Sequence, residues 1–393
     1  MEQAQARRFP LLDAVSAAID AEGRPAIAAD GATLSAISFY HYMSLCLYHP
    51  EFGYYRSGFP KVGREGDFYT SSSIGDVMGE TLAGWLREAA LARFGPGAAV
   101  EVLDWGGGTG RLSRQMLDAW AASSDRPEDG AAPAFAVTVV DGNPAHRREA
   151  ERELAAHIRA GTARVSDETE WEKLLAPDRP VIVVANELLD AFPVHRLVMQ
   201  DGKLSEWGVA RTAEGRLVPC LMEPTDVRLA DWLAEEGVEL LDGQTVEANL
   251  DAAAWAADIA VRFARALLVL IDYGDETAEL ISPHRMDGTL LCYYRHRAHN
   301  DPYQWPGEQD LTAHVNFSHI RRSVEKRGGR QIWYGSQKRF LVEAGLLERL
   351  TAHGFTDPFH PVVRRNRAIR QLLLSDGMSE LFKVQVFAIG RST

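Results

Sequence analysis

The sequence predicts an α/β fold, a largely parallel sheet with helices wound over its faces. Three observations carry this expectation. Short buried-type runs, such as 135–141, 180–185 and 267–271, alternate with longer stretches of helical apolar spacing. A turn made almost wholly of glycine, Gly106-Gly107-Gly108-Thr109-Gly110, joins the strand-like 98–103 to the helix-like 111–120. Polar residues close the apolar runs, with Asp141 after one and Asn186-Glu187 after another. In an open parallel sheet, ligands sit beyond the carboxyl ends of the strands, where such residues gather.

Phe9, Leu12, Val15, Ala18 and Ile19 have helical spacing, and Ser38 is an N-cap candidate for a helix over 39–48. The aromatic turn His49-Pro50-Glu51-Phe52-Gly53-Tyr54-Tyr55 reads mainly as core packing. In Gly66-Asp67-Phe68-Tyr69-Thr70-Ser71-Ser72-Ser73, four successive hydroxyls form either a helix N-cap at Ser73 or a polar loop over a ligand. Strands follow at about 100–105, 135–141, 163–166 and 180–185, a hairpin over 194–211 turning at Asp201-Gly202, and helices at about 226–236 and 249–265. A fifth strand is expected at 267–274, a sixth at 288–294 and a seventh at 382–389. The expected organisation is a helical N-terminal region (1–97), a core (98–294) with an insertion at about 194–248, an inserted substrate-facing cap (295–380) and a final core strand (381–393).

Composition narrows the function classes. The chain has 393 residues, 46% of them hydrophobic, and a net charge of −13. That charge argues against a nucleic-acid partner, which needs a basic footprint. The apolar run 266–271 is far too short to cross a bilayer, so no membrane partner is expected. The three cysteines, Cys46, Cys220 and Cys292, are scattered. They read as reduced thiols of a cytoplasmic protein, and no secretory pattern opens the chain. Three histidines among the acids of 295–317 match no zinc spacing, so no metal is expected.

The glycine turn offers bare backbone N–H groups and a helix N-terminus to an anionic or nucleotide-like ligand. Its spacing, Asp104-x-Gly106-x-Gly108-x-Gly110, differs from the dinucleotide fingerprint, and the acid after the next strand, Asp141, lies further on than that fingerprint requires. The pattern resembles the S-adenosylmethionine loop of class I methyltransferases, with Asp141 on the ribose hydroxyls. Asp167, after the third strand, is either an adenine contact or a cap. Asn186, Glu187 and Asp190 either share the crevice or cap a helix.

Several separated stretches together resemble the MidA-like methyltransferase family, whose mitochondrial member is an assembly factor for respiratory complex I. They are Tyr48–Tyr55, Gly66–Ser71, Asn186–Pro193, Ile271–Gly274 and Pro306–Phe317, in family order. The resemblance implies a class I, Rossmann-like, seven-stranded methyltransferase fold with a helical N-terminal region and an inserted cap. It implies that Thr70, Ser71 and Asn186 join Asp104, Gly106, Gly108, Gly110 and Asp141 around the cofactor. The chain departs from mitochondrial-type members in its glycine loop, at Ser72-Ser73 and at Asn316. The expected activity is S-adenosylmethionine-dependent methyl transfer to a protein side chain, with arginine a candidate. A small-molecule acceptor or a cofactor-holding assembly chaperone is the alternative, and homodimerisation stays open. Paired carboxylates suit a guanidinium, so Glu187, Asp190 and Asp310 are the candidate catalytic acids, with His314 as a base. Tyr54 or Trp105 offers an aromatic face to a cation, although core packing suits Trp105 better.

Overall fold

The computed structural model describes residues 9–56, 75–123, 132–175, 179–374 and 378–390. They fall into two compact units, one comprising 58–189, 255–273 and 321–393, the other 1–57, 190–254 and 274–320.

The first unit is built on a sheet whose main path has seven strands. Its strands are β1 (Ala99–Trp105), β2 (Ala134–Val140), β3 (Ala163–Ser166), β4 (Val181–Asn186), β5 (Ala266–Asp275), β6 (Arg330–Ser336) and β7 (Phe382–Ile389). The order across the sheet is β6-β7-β5-β4-β1-β2-β3. Pairings among β1 to β5 are parallel, while β7 runs antiparallel to both β5 and β6. β1 and β4 lie at the middle of the order, with strands on both sides. Val181–Ala185 is therefore buried at every position, the run of a strand covered on both faces. On one face Val100, Val102, Val137, Val139, Ile182 and Val184 pack against Leu82 and Leu86 of helix Val77–Phe94 and Leu112 and Met116 of helix Arg111–Ala121. Strand period two turns Trp105 to the other face, where it meets Trp171 and Trp255 edge-on at 4.9 and 5.5 Å. Trp105 thus packs, as its bland reading had it.

The expected α/β class and the first five core strands agree with this sheet. The sixth does not. Within 288–294, residues Leu291–Tyr294 instead pair with Arg297–His299 and Asp310–Thr312 in a separate three-stranded sheet. The sixth core strand is β6, inside the stretch expected to be a cap. It pairs with β7 alone, at the sheet edge, and is only half buried. An edge strand need not be apolar, so Arg330-Gln331-Ile332-Trp333-Tyr334-Gly335-Ser336 shows no buried run.

The second unit carries an antiparallel sheet ordered 245–248, 195–200, 203–211, 33–38, 24–28 and 217–222. Strand 217–222 pairs with both 24–28 and 203–211, closing a ring of four strands. The ring is filled by small side chains, Ala26, Ala36, Ala210 and Cys220, with Met222. The N-terminal region is therefore not purely helical. Arg24–Ala28 and Thr33–Ser38 form strands between helices Leu11–Glu22 and Phe39–Tyr48. Alanine and proline in the first of these gave no β signal. The expected cap at Ser38 is present, its hydroxyl accepting from the His41 N–H at 3.2 Å. The expected hairpin turns at Asp201 (φ 50°) and Gly202 (φ 71°), the double positive φ of a two-residue turn.

Candidate functional site

The glycine turn leaves β1 at Trp105, and its first N–H, on Gly106, donates to the Val140 carbonyl at 2.8 Å. Gly106, Gly108 and Gly110 have φ of 68°, 55° and 75°, the left-handed region that disfavours side chains. Three different reasons hold the glycines. A Cβ on Gly106 would lie 2.7 Å from Leu188, and one on Gly107 2.8 Å from the Asp104 carboxyl. At Gly110 it would lie 3.1 Å from Ala150, where two helices approach. At Gly108 it would meet no atom of the described residues within 4 Å. Among the described residues, Gly108 alone of the four faces open space. Gly110 also heads helix Arg111–Ala121 with no side-chain cap, leaving first-turn N–H groups for other acceptors.

Two acids hold this turn. Asp104 is buried beneath it, accepting from the Ser113 hydroxyl at 2.5 Å. Burial pushes its carboxyl up to about 6, opposed by the Ser113 hydrogen bond and aided by the negative charge of Asp141. Asp141 follows β2 and points at the turn. Its Oδ2 accepts from the Gly108 N–H at 3.0 Å, and its Oδ1 from the Asn143 N–H at 2.7 Å. His146 Nδ1 lies 3.4 Å away, and Arg147 donates to the Asp141 carbonyl at 2.7 Å. A carboxylate has about four lone-pair sites, so these bonds leave capacity for ribose hydroxyls.

After β4 the chain turns sharply. Glu187 takes φ 54°, uncommon for a residue with a side chain, and its N–H donates to the Ile271 carbonyl at 2.8 Å. Asn186 Nδ2 donates to Glu187 Oε1 at 3.4 Å, while Asn186 Oδ1 is buried and has no hydrogen-bond partner among the described residues. Sequence reading quoted Asp272 only within a motif, yet it organises this turn. Fully buried on β5, it accepts on Oδ2 from Leu188 N–H (3.1 Å) and Leu189 N–H (2.7 Å), and on Oδ1 from Tyr273 N–H (2.8 Å). The available signal was an acid ending the apolar run 266–271. Asp167 closes a local turn, its Oδ1 accepting from Thr169 N–H, the Thr169 hydroxyl and Glu170 N–H. The Thr169 hydroxyl bond is the chief reason its carboxyl titrates below the usual range.

The other unit gathers Asp190, Asp310 and the segment before His314. The Ala313 N–H donates to the Asp190 carbonyl at 3.0 Å, and the His314 N–H to the Thr289 hydroxyl at 3.0 Å. Asp190 and Asp310 are both buried. Tyr55 donates its hydroxyl to Asp310 Oδ1 at 2.9 Å, which also accepts from the Leu311 N–H at 3.0 Å. Tyr48 stacks on Tyr55 (5.7 Å, 23°), Tyr54 meets it edge-on (5.0 Å, 85°), and Tyr48 donates to the Ala191 carbonyl at 3.0 Å. Burial, then the negative charge of Asp310, pushes the Tyr55 phenol well above its ordinary range. Thr70 and Ser71 lie outside the described residues. Among the described residues, no group of three or more His, Cys, Asp or Glu side chains is placed to hold a metal ion.

Residues 81–334 match the family model described as "Putative S-adenosyl-L-methionine-dependent methyltransferase". The chain belongs to this methyltransferase family. A solved member from Burkholderia thailandensis, bound to S-adenosyl-homocysteine, is 31% identical, with a TM-score of 0.81 over 97% of this chain and 93% of that one. A second structure from that organism is 30% identical, with a TM-score of 0.79. Among curated proteins, "Protein arginine methyltransferase NDUFAF7 homolog, mitochondrial" of Drosophila melanogaster is 27% identical over 73% of this chain and 66% of its own length. The Caenorhabditis elegans protein of the same name is 27% identical over 80% of this chain and 74% of its own.

These findings agree with the resemblance, the enzyme class and the cofactor read from the sequence. They overturn the cytoplasmic expectation, because the curated relatives are mitochondrial proteins. That expectation rested on reduced cysteines. All three are buried and free, and burial pushes their thiols up, to about 12 for Cys46 and Cys292 and about 11 for Cys220. Inert thiols of this kind do not discriminate one reducing compartment from another.

Proposed function

We propose that this methyltransferase modifies a protein side chain, the guanidinium of an arginine. The observation that carries the reading is that two acids, Asp190 and Asp310, are buried, and that Tyr55, which donates to Asp310, packs against Tyr48 and Tyr54. A guanidinium presents a planar fork of donors that carboxylates match, and its face stacks on aromatic rings. Relatives named as arginine methyltransferases support the same acceptor.

The residues present fit the family's cofactor. Gly108 borders open space, Asn186 Oδ1 is a buried acceptor awaiting a donor, and Asp141 keeps lone pairs at the turn. In this reading Asp141 holds the ribose hydroxyls. Gly106, Gly108 and Gly110 shape the turn around the cofactor, and the first-turn N–H groups of the helix that Gly110 heads receive the anionic end. Asn186 accepts from the amino group. Thr70 and Ser71 are assigned to the same cofactor by the family resemblance alone. Asp104 acts beneath the turn rather than on the ligand. S-adenosylmethionine, when bound, supplies an activated methyl group.

The protein's own task is then to bind, orient and deprotonate the acceptor. Asp190 and Asp310 hold the guanidinium so that one nitrogen presents its lone pair, and Glu187 is a further candidate acid by its place in the family motif. His314 takes the proton that this nitrogen releases. Glu187 and Asp190 are three residues apart along the chain, and the αL turn at Glu187 sets where its carboxylate leaves the backbone.

Incubation of the protein with labelled S-adenosylmethionine and a cell extract, followed by mass spectrometry, tests the reading. Label on arginine of one protein is expected. Label confined to small molecules, or none at all with cofactor binding intact, would instead support the small-molecule enzyme or the chaperone.

A further inference from the structure

Helix Pro361–Leu374 carries four arginines and no acid, in a chain whose net charge is −13. The four do different things. Arg365 pairs with Glu80 through both Nη atoms, and Arg349, from the preceding segment, joins the same carboxylate. Ala368, Ile369 and Leu372 pack into the core against the helix that carries Glu80. That face is the anchor. The opposite face shows Arg364, Arg367 and Arg370, all exposed and, among the described residues, none of them paired with a carboxylate. Arg367 reaches only the Pro358 carbonyl, at 3.5 Å.

Apolar side chains flank this row. Phe359 is 80% exposed just before the helix, and Leu374 is 70% exposed at its end. Phe355, half exposed, stacks on His360 with centroids 3.6 Å apart, which holds the segment against the helix start. The one acid of 349–360, Asp357, accepts from the Phe359 N–H at 2.9 Å and pairs with none of the three arginines among the described residues. Scattered single exposed apolar residues are ordinary, but large ones bracketing three unpaired arginines on one helix face are not.

The geometry points to an anionic phospholipid surface as the partner of this face. Arginines at that spacing meet lipid phosphates, while Phe359 and Leu374 enter the headgroup–acyl boundary on either side. A purely acidic protein partner would use the arginines and leave the apolar ends wet. The helix lies on the surface and does not span it: no described helix is long and apolar enough to cross a membrane. The surrounding negative charge acts weakly beyond about 8–10 Å at physiological salt, so the local row decides contact. This surface is independent of the methyl-transfer reading.

Co-sedimentation of the full chain with vesicles tests it. Binding is expected to phosphatidylcholine mixed with phosphatidylglycerol, weakening with salt, and not to phosphatidylcholine alone. Each arginine near an anionic surface is worth about fivefold in partition, so R364Q/R367Q/R370Q should bind on the order of 100-fold more weakly. Phe359→Ser should lose about tenfold or more. Both variants should keep the wild-type melting temperature, because the altered side chains pair with no acid. The proposal fails if the wild type stays in the supernatant at low salt, or if the triple variant sediments like the wild type. It also fails if neutral vesicles bind equally well, or if polyglutamate or RNA is captured while the vesicles are not.

Discussion

Substituting Gly108 by alanine separates ligand space from fold stability. The residue sits at φ 55°, so a Cβ there costs about 1–2 kcal/mol of backbone strain. No atom of the described residues lies within 4 Å of the position that Cβ would take, so steric clash with them adds nothing. The new methyl group projects into the opening assigned to the cofactor. Gly31 supplies a matched control, with φ 83° and equally open space, on the other unit. Both variants should lose similar, small amounts of stability in chemical denaturation. Calorimetric affinity for S-adenosylmethionine should fall at least tenfold, about 1.4 kcal/mol, for Gly108→Ala and stay unchanged for Gly31→Ala. Gly108→Arg should abolish binding. Wild-type affinity in Gly108→Ala, or equal losses in the two alanine variants, would refute the placement of the cofactor at this turn.

Three further outcomes follow from the same geometry. Asp272→Ala strips the acceptor from three backbone N–H groups and should cost about 3 kcal/mol, at roughly 1 kcal/mol each, while also weakening cofactor binding through the 187–189 turn; denaturant midpoints and calorimetry report the two effects. Asp104 titrates at about 6 in the folded protein against an ordinary 3.8, so its protonated form is favoured by folding. Its stabilising share is complete below pH 4 and lost by pH 7, so denaturation across that range should show wild type losing on the order of 3 kcal/mol relative to Asp104→Asn. Tyr55→Phe removes a hydroxyl donor to a buried carboxylate, worth about 2 kcal/mol, and should raise KM for an arginine acceptor more than tenfold while leaving cofactor affinity alone; an unchanged KM would take Asp310 out of the acceptor site.

Much of the cofactor half was legible from the chain because its determinants are local. Gly106, Gly108 and Gly110 announce positive φ, Asp141 ends an apolar strand, and Asn186-Glu187 follows another. These are properties of a few consecutive residues, and strand order then carries them to one end of the sheet. The acceptor half was less legible. Asp190 and Asp310 were chosen by family resemblance and charge, and nothing near either of them in sequence names Tyr55 as a partner 255 residues from Asp310.

By itself, the sequence determined the α/β class, the glycine turn, most strand positions and the methyltransferase family, since periodicity, turn chemistry and motif order are written in neighbouring residues. Tertiary structure alone decided that β6 is an edge strand of the core and that Leu291–Tyr294 belongs to another sheet. It alone turned Asp272 into the acceptor that holds the 187–189 turn, and made a ring of strands from alanine-rich segments. The physical reason is common to all of these. An edge strand, a buried carboxylate and a small-residue interior are each defined by what lies across from them, and that neighbour is supplied by a distant part of the chain.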